Sequence, residues 1–216
     1  MLGVYVTVPV ACFRKGLARE YLETEPLPPP ATCYGFLLSL VGETSRQRHI
    51  GCRVAPVLLS KPPTSVVLRT VWRVKKMPLG SSGNTRPDYQ QLLTDVRLLM
   101  WLDSTDEKGD SLESRVSTAL ANPATVMRFG GLSLGESTHL VDEVSLHEKV
   151  RPLLAGKNGQ AFLTREDKKG RFTFPVWVDH VGSAGTRYAT GDLVEWPAAD
   201  APPRERLPLI SPEVMS

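Results

Sequence analysis

Apolar residues occupy alternate positions at the start of the chain: Leu2, Val4, Val6, Val8 and Val10, with Gly3, Tyr5 and Thr7 between them. A two-residue period places that apolar set on one face of a strand. Pro9 has no N–H to give a ladder, so it marks an edge, a bulge or the end of the strand. The run Pro26-Leu27-Pro28-Pro29-Pro30 is stiff and extended. After it Tyr34, Leu37, Leu38 and Val41 recur at helical spacing, and Gly42 stands where a C-terminal cap belongs. Strands are predicted over 53–60 and 65–76, joined by Lys61-Pro62-Pro63-Thr64. In the second, Val66, Leu68, Thr70, Trp72 and Val74 alternate with Val67, Arg69, Val71, Arg73 and Lys75. One face is therefore apolar and the other carries cations.

Residues 78–86 are small and polar and read as a hairpin tip or finger. A strand over 92–102 follows, then an amphipathic helix carrying Leu112, Val116 and Leu120, started near Ser111 and stopped by Asn122-Pro123. The glycine-rich stretch Arg128-Phe129-Gly130-Gly131-Leu132-Ser133-Leu134-Gly135 precedes a strand near 138–146. Short antiparallel strands are expected over 160–164, 171–178 and 187–196. This order fits an α+β protein: a ferredoxin-like or RRM-type core over 1–150 with an inserted β-hairpin thumb around 75–90. A small C-terminal antiparallel β extension over 151–196 and a proline-rich, flexible tail over 197–216 complete the expectation.

Composition narrows the class. With 216 residues, 41% hydrophobic and 23% charged, the chain has the make-up of a globular protein rather than a disordered one. Three cysteines without CxxC spacing suit neither a disulfide framework nor a zinc ribbon, and a reducing cytoplasm is the expected setting. No basic residue precedes Val10-Ala11-Cys12, so a secretory signal is not expected, nor is a membrane partner. Phosphate-loop, dinucleotide, zincin and serine-hydrolase motifs are all missing, so no catalytic set, metal or cofactor is expected. The net charge of +3 divides into +7 over residues 1–100 and −4 over the remainder. Between Thr44 and Pro87 nine basic residues occur with no acidic one: Arg46, Arg48, Arg53, Lys61, Arg69, Arg73, Lys75, Lys76 and Arg86. Such a tract is either a polyanion-facing surface or a solvated strand face.

Two segments then resemble a known family. Phe13-Arg14 followed by Leu22-Glu23-Thr24-Glu25-Pro26-Leu27-Pro28-Pro29-Pro30-Ala31-Thr32-Cys33-Tyr34-Gly35-Phe36-Leu37 resembles the N-terminal signature of the CRISPR-associated protein 5 family. Phe129-Gly130-Gly131-Leu132-Ser133-Leu134-Gly135-Glu136 is similar to its second block, and in detail the likeness is to the DevS-like subtype of type I-B systems. The resemblance implies a non-catalytic RNA-binding subunit of a surveillance complex (Cascade), capping the 5′ handle of the crRNA. It also implies contacts with the backbone and large subunits, indirect contact with target DNA, and a thumb that kinks the guide. Recruitment of transposition proteins by the assembled complex is left open. Some relatives process pre-crRNA repeats as metal-independent endoribonucleases. That is the alternative function, although the four histidines here are scattered. A third class is a protein-interaction subunit whose basic face meets an acidic partner.

An RNA handle needs cations for its phosphates, for which Arg14, Lys15, Arg19, Arg73, Lys75, Lys76, Arg86 and Arg128 are candidates. The helix entry at Pro30, Ala31 and Thr32 offers amides and a hydroxyl, while Gly130 and Gly131 permit close backbone approach. Tyr34, Trp72, Phe129 and His139 could stack on or contact bases. Structural readings compete: Tyr34 and Trp72 also fit apolar stripes, His139 suits an ordinary hydrogen-bonded histidine, and Arg19 could pair with Glu23.

Overall fold

A computed structural model describes residues 1–16, 18, 20–72, 77–78, 80–165, 167, 169–181 and 183–213, with Val71 and Trp72 described by backbone alone. The first strand, β1 (Leu2–Ala11), buries Val4, Val6 and Val8. Its ladder with β5 (Thr85–Asp103) runs from Leu2↔Leu102 to Ala11↔Leu93 and passes over Pro9. Asp95, between the flanking partners Val96 and Thr94, has φ 55. The proline thus sits at an irregularity, and beyond it the inward phase moves from Val8 to Ala11.

Helix α1 (Pro30–Leu40) begins where the prolines end: Pro29 is its cap and Pro30 its first residue, where a missing N–H costs nothing. It stops in a Schellman turn, with Gly42 N–H donating to the Ser39 carbonyl and Glu43 N–H to that of Leu38. Gly42 has φ +67, and a Cβ there would fall 2.1 Å from the Met127 carbonyl oxygen, so this position requires glycine. The next elements are β3 (Arg53–Leu58), β4 (Thr64–Trp72) and α2 (Leu112–Ala121), whose cap Ser111 accepts from the Ser114 N–H at 3.3 Å. β6 (Glu143–Leu146) leads directly into α3 (His147–Leu154). The strand expected near 138–146 ends where β6 ends, and the helix after it was not expected. Pro152 and an alternation of charged and apolar residues hid the short helix.

β7 (Asn158–Thr164), β8 (Phe172–Trp177) and β9 (Arg187–Pro197) follow the expected antiparallel strands closely. With β2 (Tyr21–Leu22) included, the described residues form one nine-stranded sheet. Its main path is β6-β1-β5-β3-β7-β9-β8, with β2 and β4 both on β5. β1, α1, β3, β5, α2 and β6 supply the order β6-β1-β5-β3, in which every neighbouring pair is antiparallel. The fold is α+β.

Residues on β5 alternate between the two faces of the sheet. Leu98, Met100 and Leu102 join the core under α1 and α2, while Leu99 and Trp101 join a second core with Leu154 and Leu207. The segment after Pro197, expected to be flexible, runs against β3. Gly51 N–H donates to the Ile210 carbonyl, Ile210 N–H to that of Cys52, and Val54 N–H to that of Pro208, while Leu207 and Ile210 are fully buried. The prolines shape this run without preventing its apolar residues from docking. β4 departs from expectation too. Its apolar positions Val66 and Leu68 are exposed, because the N-terminal half of β5 carries β4 beyond the reach of the helices as a finger.

Candidate nucleic-acid interface

The glycine-rich segment runs antiparallel alongside α1. The Met127 carbonyl lies against Gly42, Arg128 donates to the Leu40 carbonyl at 3.3 Å, and Ser133 and Gly135 face the first half of the helix. Between them opens a cleft of about 400 Å³. Thr32, Ser39 and Ser133 supply hydroxyls, Leu38 and Leu134 are among its apolar lining, and Arg46, Trp177 and His180 close the far side. The Arg46 guanidinium lies 4.0 Å from the centre of the Trp177 ring, a cation–π contact that holds a positive charge beside the cleft. Hydroxyls, one fixed cation and an apolar floor suit a sugar-phosphate with its base.

The segment is held at its second end by backbone and imidazole. Gly135 has φ +100, and a Cβ would meet the Cys12 carbonyl oxygen at 2.7 Å. His139 Nδ1 accepts from the Cys12 and Glu136 N–H groups, each at 3.2 Å. Burial pushes its pKa below the ordinary histidine value despite the neighbouring Glu136 carboxylate. His139 is therefore a largely buried anchor for this segment. Tyr34 is corrected in the same way. It is 3% exposed and donates its hydroxyl to the Arg46 carbonyl at 2.7 Å, and burial raises its pKa. That bond ties α1 to the main chain at Arg46.

The remaining sequence candidates are scattered around this cleft. Pro30 is buried at the start of α1 and Thr32 lines the opening. Arg128, Gly130 and Gly131 are exposed on the outer turn, where Phe129 stands 98% exposed. Arg14 donates to the Ala18 carbonyl at 2.6 Å and Lys15 pairs with Glu23 at 3.5 Å. Arg86 is ion-paired with Glu20 and with Asp88. Arg19, Arg73, Lys75 and Lys76 lie outside the described residues, as does Leu79 of the expected thumb.

Folding compensates the acid-free tract. Arg48 meets Glu43 and Asp110, Arg53 meets Asp106, and Arg69 meets Glu136 at 3.0 Å. Arg69 and Gln90 both bond Glu136, which ties the finger's root to the glycine-rich segment. Sequence reasoning missed Arg46 over Trp177, because more than a hundred residues separate them and neither belongs to a motif. It also missed a buried cluster in which Arg115 donates to His49 Nε2 at 2.7 Å and His49 Nδ1 donates to Glu107 at 2.6 Å. Arg115 also meets Glu43, whose carboxyl is lowered to about 2 by the Ser45 N–H and that guanidinium.

Among the described residues no three His, Cys, Asp or Glu side chains gather in a way that could hold a metal, and no helix is long and apolar enough to cross a membrane. Cys12, Cys33 and Cys52 are buried free thiols.

No family model matches the chain. A CRISPR-associated protein Cas5 from Myxococcus xanthus (strain DK1622) is 53% identical over 214 residues, spanning 97% of this chain and 97% of that protein. Among solved structures, a chain of a CRISPR RNA-guided surveillance complex superposes with a TM-score of 0.60 at 13% identity, covering 90% of this chain and 89% of the other. A second, described as a crystal structure of a Cas protein, gives a TM-score of 0.49 at 17% identity, covering 98% and 99%.

Proposed function

The chain belongs to the CRISPR-associated protein Cas5 family, and from that premise we propose that it is a non-catalytic RNA-binding subunit of a type I surveillance complex, holding the 5′ handle of the crRNA. One observation carries the reading. The two segments that resemble the family's signature, about a hundred residues apart in sequence, line a single nucleotide-sized cleft. The strand order β6-β1-β5-β3 supports a ferredoxin-like description of the first part of the chain, with β7, β8 and β9 as its extension. Backbone and large subunits are the proposed protein partners, target DNA is met indirectly, and the cytoplasm is the proposed setting.

The cleft supports binding over cleavage. Acid–base attack on a 2′-hydroxyl needs two groups that exchange protons near neutral pH. The titratable side chains lining the cleft are Tyr34, Arg46 and His180. Tyr34 is bonded and shifted upward, arginine stays protonated, and one imidazole is left.

The test is to express the tagged chain with its CRISPR array and companion genes and to sequence the RNA that co-purifies. Guide RNAs beginning in repeat-derived sequence are expected; recovery of no enriched RNA overturns the reading. Cleavage of repeat RNA by the purified chain in chelator, lost in His180→Ala, would overturn the non-catalytic part.

A further inference from the structure

We propose that Tyr21 and Tyr89 form a stacking platform for unpaired RNA bases on the outer face of the finger. The proposal rests on the RNA-binding reading and deepens it by naming a second contact, apart from the cleft. β2 and β4 flank the N-terminal half of β5, with Tyr21 beside Tyr89 and Leu68 on Tyr89's other side. Residues directly paired across a ladder share a face, so these three side chains form one row. They are 42%, 52% and 62% exposed, and Val66, one pair further along, is 50% exposed. The reverse face is different: Leu22, Asp88 and Gln90 are buried there. On β2 and β5 the row is therefore the outward surface, while on β4 the reverse face is also open at Val67 and Arg69.

Its chemistry selects the ligand. The tyrosine centroids lie 6.4 Å apart with the rings tilted by 35°. Gln91 donates to the Tyr21 hydroxyl at 3.4 Å, which helps fix that ring. The paired positions on this face are Val66 with Gln91, Leu68 with Tyr89 and Thr70 with Pro87, none of them charged. The carboxylates next to β2 in sequence are paired, Glu20 with Arg86 and Glu23 with Lys15. No paired position on this face carries a negative charge to repel phosphate. Aromatic side chains standing on an open sheet face with neutral neighbours are a stacking surface for single-stranded bases. A purely aliphatic face would point to a protein partner; the two phenol rings at its centre favour bases.

Single-stranded RNA of the handle and first spacer nucleotides, carrying 2-aminopurine at successive positions, provides the probe. With the full-length chain, fluorescence at one or two positions is expected to be quenched on binding. Tyr21→Ala and Tyr89→Ala should each release that quench and weaken binding by about five- to a hundredfold, the range of one base–aromatic stack. Tyr21→Phe and Tyr89→Phe should retain both, since the ring does the stacking. Both rings are exposed, so folding should not be at stake, and unchanged thermal unfolding of each variant checks this. If the alanine variants bind and quench like the wild type while Arg46→Ala weakens RNA, the platform is wrong and the cleft reading stands. If the alanine variants keep RNA but lose companion subunits on purification, the face is a protein-docking surface and the proposal is overturned. Absence of RNA binding by the wild type overturns both readings.

Discussion

His139 illustrates how a residue type can mislead when its surroundings are unknown. A histidine next to a glycine-rich segment could contact RNA, yet here its Nδ1 accepts from two main-chain amides at the end of β1 and in the segment itself. Replacement by alanine leaves both N–H groups without that acceptor, at roughly 1–3 kcal/mol for each one that stays buried. His139→Ala should therefore lower the thermal midpoint measurably at pH 7.5. The pH dependence has a definite sign. The folded-state pKa is depressed below the ordinary value of 6.5, so the unfolded chain binds the proton more readily. Stability from this residue is complete above that value and declines as pH falls below it. The gap between wild type and His139→Ala should narrow from pH 7.5 to pH 5, as followed by thermal unfolding. A gap constant across that range would contradict the assignment. Tyr34 gives the same lesson: its place in the helical stripe was legible, and the stripe reading proved to be the right one.

At the scale of elements, periodicity served well wherever one face of an element meets the core. α1 is recognisable from Tyr34, Leu37 and Leu38 and from Gly42 at its stop, and β8 and β9 from short alternating runs. It served poorly where burial does not follow one face. Val66 and Leu68 look like core positions but lie on the finger, because only the length of β5 and its pairing partners reveal that β4 leaves the body of the molecule. The reverse holds for the tail, whose proline content obscured two anchors, Leu207 and Ile210. Arg204 adds a contact to Asp103 at 2.8 Å. Burial pushes the Asp103 carboxyl upward, but the Arg204 guanidinium and the Thr105 N–H and hydroxyl prevail and hold it below the usual range. Leu207→Ala should cost about 2–5 kcal/mol by urea denaturation, the range for truncating a fully buried leucine. A loss near zero would mean that the tail is only loosely laid on β3.

For the whole molecule, the net charge of +3 is a poor guide to RNA binding, and the linear tract between Thr44 and Pro87 is only a partial one. The tract was free of acid in sequence, but pairing and loop closure bring carboxylates to Arg48, Arg53, Arg69 and Arg86. Arg46 is different, because its guanidinium is held against the Trp177 ring beside the cleft, although the Asp179 carboxylate is near enough to feel its charge. On the proposed reading, log affinity for single-stranded RNA falls linearly with log salt, by about 0.7 for each phosphate neutralised. Arg46→Ala should flatten that slope by about 0.7 while weakening binding to all sequences alike, as measured by salt titration. An unchanged slope would remove Arg46 from the interface. The cleft itself was half legible: both signature segments stand out in the sequence, whereas their convergence with Arg46 and Trp177 depends on the folded chain.

Ultraviolet crosslinking of guide RNA to the chain within its assembled complex, with the attached peptides mapped by mass spectrometry, tests the central claim most directly. Crosslinks are predicted in residues 31–39 and 133–135, with nucleotides of the 5′ handle. Crosslinks confined to other surfaces, with these two segments free of RNA, would contradict it.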